Sequence, residues 1–252
     1  MNVHILATCR KPELLKFTTL VFASLRTGFP TAKVHVHFNR LKDAERDALY
    51  LCAEETDCET SSCDTIHHEW IEQLVNREQE PFWLLDTDVV FYDSFESHEF
   101  DEHHLAGWRI PEWFDEFSGC ITRARLHTSL LYVNPRMVRS AIADYESRIA
   151  HTVFTPKANP FYPLVAPFKR KAYFYDTCSL LYHAIGGEAF TDSQKERYCH
   201  LNFGTIPDIV FPRLPKEDVS RIEQARQCVL SNPSWGKGAW RHQEEFYSKR
   251  QP

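Results

Sequence analysis

Hydrophobic and polar positions change period several times along the first third of the chain. Val3 to Thr8 is a short apolar run of strand type. From Pro12 to Leu25 the apolar residues Leu14, Leu15, Phe17, Leu20, Val21 and Leu25 recur at helical spacing, and Gly28-Phe29-Pro30 ends the run. Between Lys33 and Asn39 the period falls to two, with Val34, Val36 and Phe38 set against Lys33, His35 and His37. Leu41 to Glu55 and Asp64 to Arg77 return to helical spacing, and Pro81 to Val90 contains a strongly apolar strand. This β-α-β-α-α-β opening predicts an α/β fold, a mostly parallel sheet with helices on its faces.

The middle of the chain is less regular. His104 to Ile110 and Thr128 to Val133 read as strands. Pro111 to Arg125 reads as a loop with a short helix, and Asn134-Pro135 opens a helix to about Ile149. Thr155 to Tyr175 spaces four prolines among aromatic residues, a pattern of lids and binding walls. Asp176 to Ile185 is a helix stopped by Gly186-Gly187, Tyr198 to Phe203 is a strand, and Glu217 to Val229 is a tail helix.

Composition narrows the function classes. The chain has 252 residues, a formal net charge of −6 and 43% hydrophobic residues, which suits a globular protein with a sizeable core. Mean hydropathy is −0.43. No apolar run approaches the roughly 18 residues of a membrane span, and no basic-then-apolar leader opens the chain, so a cytoplasmic location is expected. The acidic balance leaves nucleic acid a minor option. None of the eight glycines forms a dinucleotide fingerprint or a P-loop. The eight cysteines include no C-x-x-C; Cys52, Cys58 and Cys63 with His67 and His68 either hold zinc or are helix-face and loop residues.

The chemistry concentrates in Phe82-Trp83-Leu84-Leu85-Asp86-Thr87-Asp88-Val89-Val90-Phe91. Four large apolar residues deliver two acids to the C-terminal end of a strand, where open α/β sheets bind ligands. Period two puts Asp86 and Asp88 on one side, where two hard carboxylates call for a divalent cation, Mn²⁺ or Mg²⁺. The competing reading is a strand end turned by two solvated acids.

These residues resemble the GT-A-fold glycosyltransferases, in which a D-x-D motif after an apolar strand binds the metal on a nucleotide-sugar diphosphate. The resemblance runs over roughly residues 1–210 and implies one domain, with a Rossmann-like nucleotide-sugar half (1–100), an acceptor half (101–215) and a C-terminal helix and tail (216–252). It implies donor contacts from Thr8, Arg10, Asn39, Asp86 and Thr87, a metal shell of Asp86, Asp88 and His200, and a UDP- or, less favoured, GDP-sugar donor. Asp176 stands where the family places an acid near the acceptor, so it is the implied base and an acceptor contact beside Trp113 and Tyr162. Two departures are visible: Asn39 replaces the Asp of many members, and Tyr175-Asp176-Thr177 replaces a paired Glu-Asp.

Each residue also has a plainer reading. Asp176 can be a helix N-cap, His200 a hydrogen-bonded core histidine, Arg10 a surface charge, and the aromatics core packing. Arg123, Arg125, Arg136 and Arg139, with Lys169-Arg170-Lys171, form either a basic face for a phosphorylated, lipid-linked or nucleic-acid acceptor, or solvated charges. The alternatives to sugar transfer to a glycan, lipid-linked or small-molecule acceptor are a sugar-1-phosphate nucleotidyltransferase, disfavoured because residues 1–27 lack glycine, and a non-catalytic nucleotide-sugar or glycan-binding module.

Overall fold

A computed structural model describes residues 1–8, 15–95, 97–115, 119–149, 164–170 and 172–200. Arg10, Tyr162, residues 155–163 of the proline-rich segment and the tail helix lie outside them. In chain order the elements are β1 (Asn2–Thr8), α1 (Leu15–Gly28), β2 (Lys33–Asn39), α2 (Asp43–Glu55), β3 (Glu59–Cys63), α3 (His67–Arg77), β4 (Phe82–Leu85), β5 (Val89–Phe91), a 3-10 turn (Ser97–Phe100), β6 (Leu105–Ile110), β7 (Trp113–Asp115), β8 (Cys120–Thr122), β9 (Arg125–Val133), α4 (Pro135–Ile149), β10 (Phe168–Arg170), β11 (Tyr173–Tyr175), α5 (Ser179–Ile185), β12 (Glu188–Ala189), α6 (Asp192–Lys195) and β13 (Tyr198–His200). The protein is mixed α/β, with a seven-stranded, mostly parallel sheet flanked by helices, and smaller sheets of four and two strands. The described residues divide into two compact units that do not follow chain order: those within 1–64, 85–95 and 191–200, and those within 65–84 and 97–190.

In the first unit β1, β2 and β3 run parallel, with Thr8 opposite Asn39 and Asn39 opposite Cys63. The apolar positions read from period two, Val34, Val36 and Phe38, are all buried, as are Val21, Phe22 and Leu25 of α1. β3 departs from the expected pattern. Its sequence Glu-Thr-Ser-Ser-Cys has no apolar alternation, and as an edge strand it needs little of its own to bury. Glu45 begins α2 by accepting a hydrogen bond from the Lys42 N–H at 3.1 Å.

The packing of α1 against β5 positions the acids discussed below. Ser24 Oγ accepts the Phe91 N–H at 3.1 Å, and Gly28 O accepts the Phe95 N–H at 2.9 Å. Phe91 is fully buried, with Phe29 edge-on at 5.1 Å and Phe95 at 6.0 Å. Gly28 is required by this approach, because a Cβ there would sit 2.4 Å from the Phe91 ring. β13 then pairs antiparallel with β5, setting Tyr198 opposite Phe91 and His200 opposite Val89.

The second unit is built around Trp83, which meets Phe100 and Tyr132 edge-on at 5.2 and 5.4 Å. β6 pairs antiparallel with β9, and β12 parallel with β6. The four-stranded sheet has the order β10-β11-β8-β7. It corrects two expectations. Pro111 to Arg125 supplies strands β7 and β8 rather than a loop with a helix, and part of the proline-rich segment forms β10 and β11. The prolines fall outside these short strands, which therefore keep their ladder donors. α5 begins at Ser179, not Asp176, because its N-cap is Cys178 in the left-handed region at φ 63°. It ends as expected at Gly186, where φ is 78° and glycine carries no steric penalty.

The four arginines read as either a basic face or solvated charges all have acceptors close by. Arg123 pairs with Glu112 at 2.9 Å, Arg125 with Asp176 at 2.8 Å and Arg136 with Glu80 at 2.6 Å, while Arg139 donates to the carbonyls of Val75 and Glu78. Each guanidinium is committed to a nearby acceptor.

Candidate functional site

The apolar run of β4 is buried at all four positions and stops at Leu85. Asp86 follows directly and is half-buried, whereas Thr87 and Asp88 form a turn and are 6% and 2% exposed. The expected single strand from Pro81 to Val90 is thus two strands with a break between them, and period two does not relate the two acids. The turn separates their environments: Asp86 faces partly outward and Asp88 is enclosed.

Asp88 is enclosed with His200. The β5–β13 register places His200 opposite Val89, the residue after Asp88, and the His200 Nε2 lies 3.3 Å from Asp88 Oδ1. Burial pulls the imidazole pKa down. The Asp88 charge and hydrogen bond, with a contribution from the Asp86 charge, outweigh it and hold His200 above the ordinary histidine value. Asp86 and His200 also bring ligand atoms within 4.8 Å of each other. A carboxylate and an imidazole this close are a mixed oxygen–nitrogen pair of the kind that one divalent cation can share. Asp88, bonded to His200, has the geometry of an acid that orients an imidazole ligand.

The other residues expected to touch the donor are placed by the parallel strands. Thr8 ends β1 and Asn39 ends β2, at matched register positions on the C-terminal edge. Asn39 is 6% exposed and Thr8 is half-buried. Arg40 follows in the left-handed region at φ 55° and pairs with Asp64.

In the second unit, each carboxylate oxygen of Asp176 has a partner, and the side chain is 37% exposed. Its Oδ1 accepts the Thr177 N–H at 2.8 Å and its Oδ2 pairs with Arg125 at 2.8 Å. The helix-cap role is therefore overturned: Asp176 bonds a residue that precedes α5. Arg125 is 8% exposed, and its guanidinium lies 5.5 Å from the Trp113 ring centroid. Burial lowers the Arg125 pKa, opposed by the Asp176 charge. The adjacent Cys178 thiol is pushed up to about 12 by burial and then by Asp176, so it remains neutral. Sequence reasoning grouped Arg125 with surface charges and missed this Arg125–Asp176–Trp113 assembly. Nothing in the local pattern marks it, since the partners are some 12 and 51 residues away in the chain.

The cysteine cluster resolves into packing. Cys52 is fully buried on α2, with its thiol raised to about 12 by burial and the Glu55 charge. Cys58 Sγ lies 3.3 Å from Thr56 Oγ1.

No family model matches the chain, and no curated protein does. Among solved structures it is similar to glycosyltransferases. With the apo form of GlyE from Streptococcus pneumoniae TIGR4 it shares 11% identity at a TM-score of 0.47, covering 98% of this chain and 63% of that one. With the galactosyltransferase LgtC, in complex with donor and acceptor sugar analogues, it shares 12% identity at a TM-score of 0.42, covering 100% and 97%. With the bifunctional glycosyltransferase WbbM it shares 10% identity at a TM-score of 0.45, covering 90% and 44%. The chain thus spans less than two thirds of GlyE and of WbbM. Among the described residues, no helix is long and apolar enough to cross a membrane.

Proposed function

We propose that the chain is a metal-dependent, hexosyltransferase-type glycosyltransferase. It moves a sugar from a nucleotide-diphosphate sugar, UDP- in preference to GDP-, to an acceptor hydroxyl. The observation that carries this is the register of β5 and β13, which seats His200 on Asp88 beside Asp86 at a break after a buried strand.

Asp86 and His200 would hold a Mn²⁺ or Mg²⁺ ion, with Asp88 contributing to the shell and fixing the His200 ring. Such a cation would supply positive charge to neutralise the departing diphosphate. Thr8, Asn39 and Thr87 offer hydroxyl and amide groups to the nucleotide, and Arg10 its guanidinium. Asp176 takes the proton of the acceptor hydroxyl in an inverting displacement, held in orientation by Arg125. Trp113 and Tyr162 contact the acceptor.

Calorimetric titration of UDP and GDP with and without Mn²⁺ tests the proposal, paired with a donor-hydrolysis assay. Nucleotide binding should require the metal, and the nucleotide should be released from the sugar. Metal-dependent binding without release would identify a binding module instead. Metal-independent binding would overturn the shell.

A further inference from the structure

In the first unit, the face of β1, β2 and β3 opposite Val34, Val36 and Phe38 is polar. His4 on β1 stands opposite His35 on β2, and His35 and His37 stand opposite Glu59 and Ser61 on β3, so all five share that face. His4 Nδ1 lies 3.1 Å from His37 Nε2, and the other nitrogen of the His37 ring, Nδ1, lies 3.0 Å from Ser61 Oγ. Two imidazoles and a hydroxyl are thus joined in series across three strands. The series runs from the interior to the surface: His4 is 1% exposed, His37 is half-buried and Ser61 is exposed. The His35 ring stacks on His4 at 4.9 Å, and its Nδ1 pairs with Glu59 at 3.2 Å. Glu59 also pairs with Lys33 at 2.8 Å. The Glu59 carboxylate thus has Lys33 and His35 as partners, and His37 keeps its Nδ1 on Ser61.

We propose that Ser61 is a nucleophile, with His37 its general base and His4 the residue that positions the base, and that the site takes activated carboxylic esters. A serine hydroxyl is a weak nucleophile until an adjacent base takes its proton. The diagnostic arrangement sets nucleophile and base about 2.6–3.2 Å apart, with the base oriented by a third group. Both separations here meet it. With the His37 proton on Nε2, that N–H donates to His4 Nδ1 and leaves the Nδ1 lone pair for the Ser61 O–H. Ser61 Oγ then attacks the ester carbonyl carbon as its proton passes to His37 Nδ1. The carbon–alkoxy bond breaks, and the leaving oxygen takes that proton. Water attacks the acyl-serine, passes a proton through His37 back to Ser61 Oγ, and releases the carboxylic acid. β3 is an edge strand, so alternate backbone N–H groups point away from β2 and can meet the developing oxyanion. His4 is a neutral partner and stabilises the imidazolium less than a carboxylate would, which suits reactive esters rather than amides. The site uses no residue of the proposed sugar transfer, so it stands or falls apart from that reading.

The test treats the full chain, with EDTA present, with a fluorophosphonate, which phosphonylates an activated serine with loss of fluoride, and separately with p-nitrophenyl acetate. Peptide mass mapping should place one phosphonyl group on Ser61, and the ester should release nitrophenolate. Ser61→Ala should abolish both reactions. His37→Gln should slow both roughly 10²-fold, the usual worth of a general base. Ser62→Ala, at an exposed position on the opposite face of β3, should change neither. His4→Leu should slow both several-fold, and His4→Asn, whose amide oxygen can accept where Nδ1 does, should restore most of the rate. Neither Ser61 nor His37 is fully buried, so thermal melts of their variants should be little changed. No adduct on Ser61, nitrophenolate release indifferent to Ser61→Ala, or labelling equally fast in His37→Gln would overturn the proposal. A folded His4→Leu variant that reacts at the full rate would overturn the positioning role of His4.

Discussion

Replacing Gly28 with alanine should unsettle the acids of the first unit from a distance. The new Cβ would lie 2.4, 2.5 and 2.9 Å from three carbons of the Phe91 ring, where ordinary contact begins at 3.4 Å. The ring must retreat by about 1 Å into a space already filled by Phe29 and Phe95. Overpacking of this kind costs about 1–3 kcal/mol. Alanine returns about 0.4–1 kcal/mol by restricting the unfolded chain. The expected net loss is about 1–2 kcal/mol, read from urea midpoints at constant m-value. Phe91 lies on β5, whose partner β13 carries His200, so Mn²⁺ affinity should also fall several-fold. Phe91→Leu makes room for the methyl group. In the double variant the two costs should therefore add to less than their sum by about 1 kcal/mol or more. A neutral or stabilising Gly28→Ala, or strict additivity with Phe91→Leu, would refute the steric reasoning.

Asp88→Asn removes the charge from a buried pair and should cost about 1–3 kcal/mol, seen in thermal melts; together with Asp86→Asn it should abolish Mn²⁺-dependent nucleotide binding by calorimetry, and unchanged affinity in both variants would sink the metal assignment. Asp176→Asn should leave nucleotide affinity intact and lower single-turnover transfer by roughly 10²-fold, the usual worth of a general base; a fully active variant would remove Asp176 from the chemistry. His183 has its pKa lowered by burial first and by the Arg123 charge second, so the unfolded chain binds this proton more readily than the folded one. The stability it contributes is then complete above about pH 6.5 and drains as pH falls toward the lowered folded value, and His183→Gln should flatten that part of the Tm-against-pH curve.

Much of the architecture is legible in one dimension, because periodicity reports burial. The alternation at Val34, Val36 and Phe38 marks β2, and the apolar run Phe82 to Leu85 marks a fully buried strand, since only an interior position tolerates four such residues in succession. The strand that went unseen, β3, is polar and lies at a sheet edge, where burial imposes no pattern. β7, β8, β10 and β11 are three residues each, too short for a period to show.

The candidate site divides the same way. By itself the sequence determines that two acids follow a buried strand, and that Thr8 and Asn39 close two others, because these are local consequences of where apolar runs stop. Only the tertiary structure decides that the run breaks at Asp86, that Asp88 is enclosed with His200 112 residues further on, and that Asp176 belongs to Arg125 rather than to a helix cap. Those pairings depend on strand register and on side chains meeting across long chain separations. A register shift of one residue would send His200 to the other face of β13 while leaving the local sequence pattern unchanged.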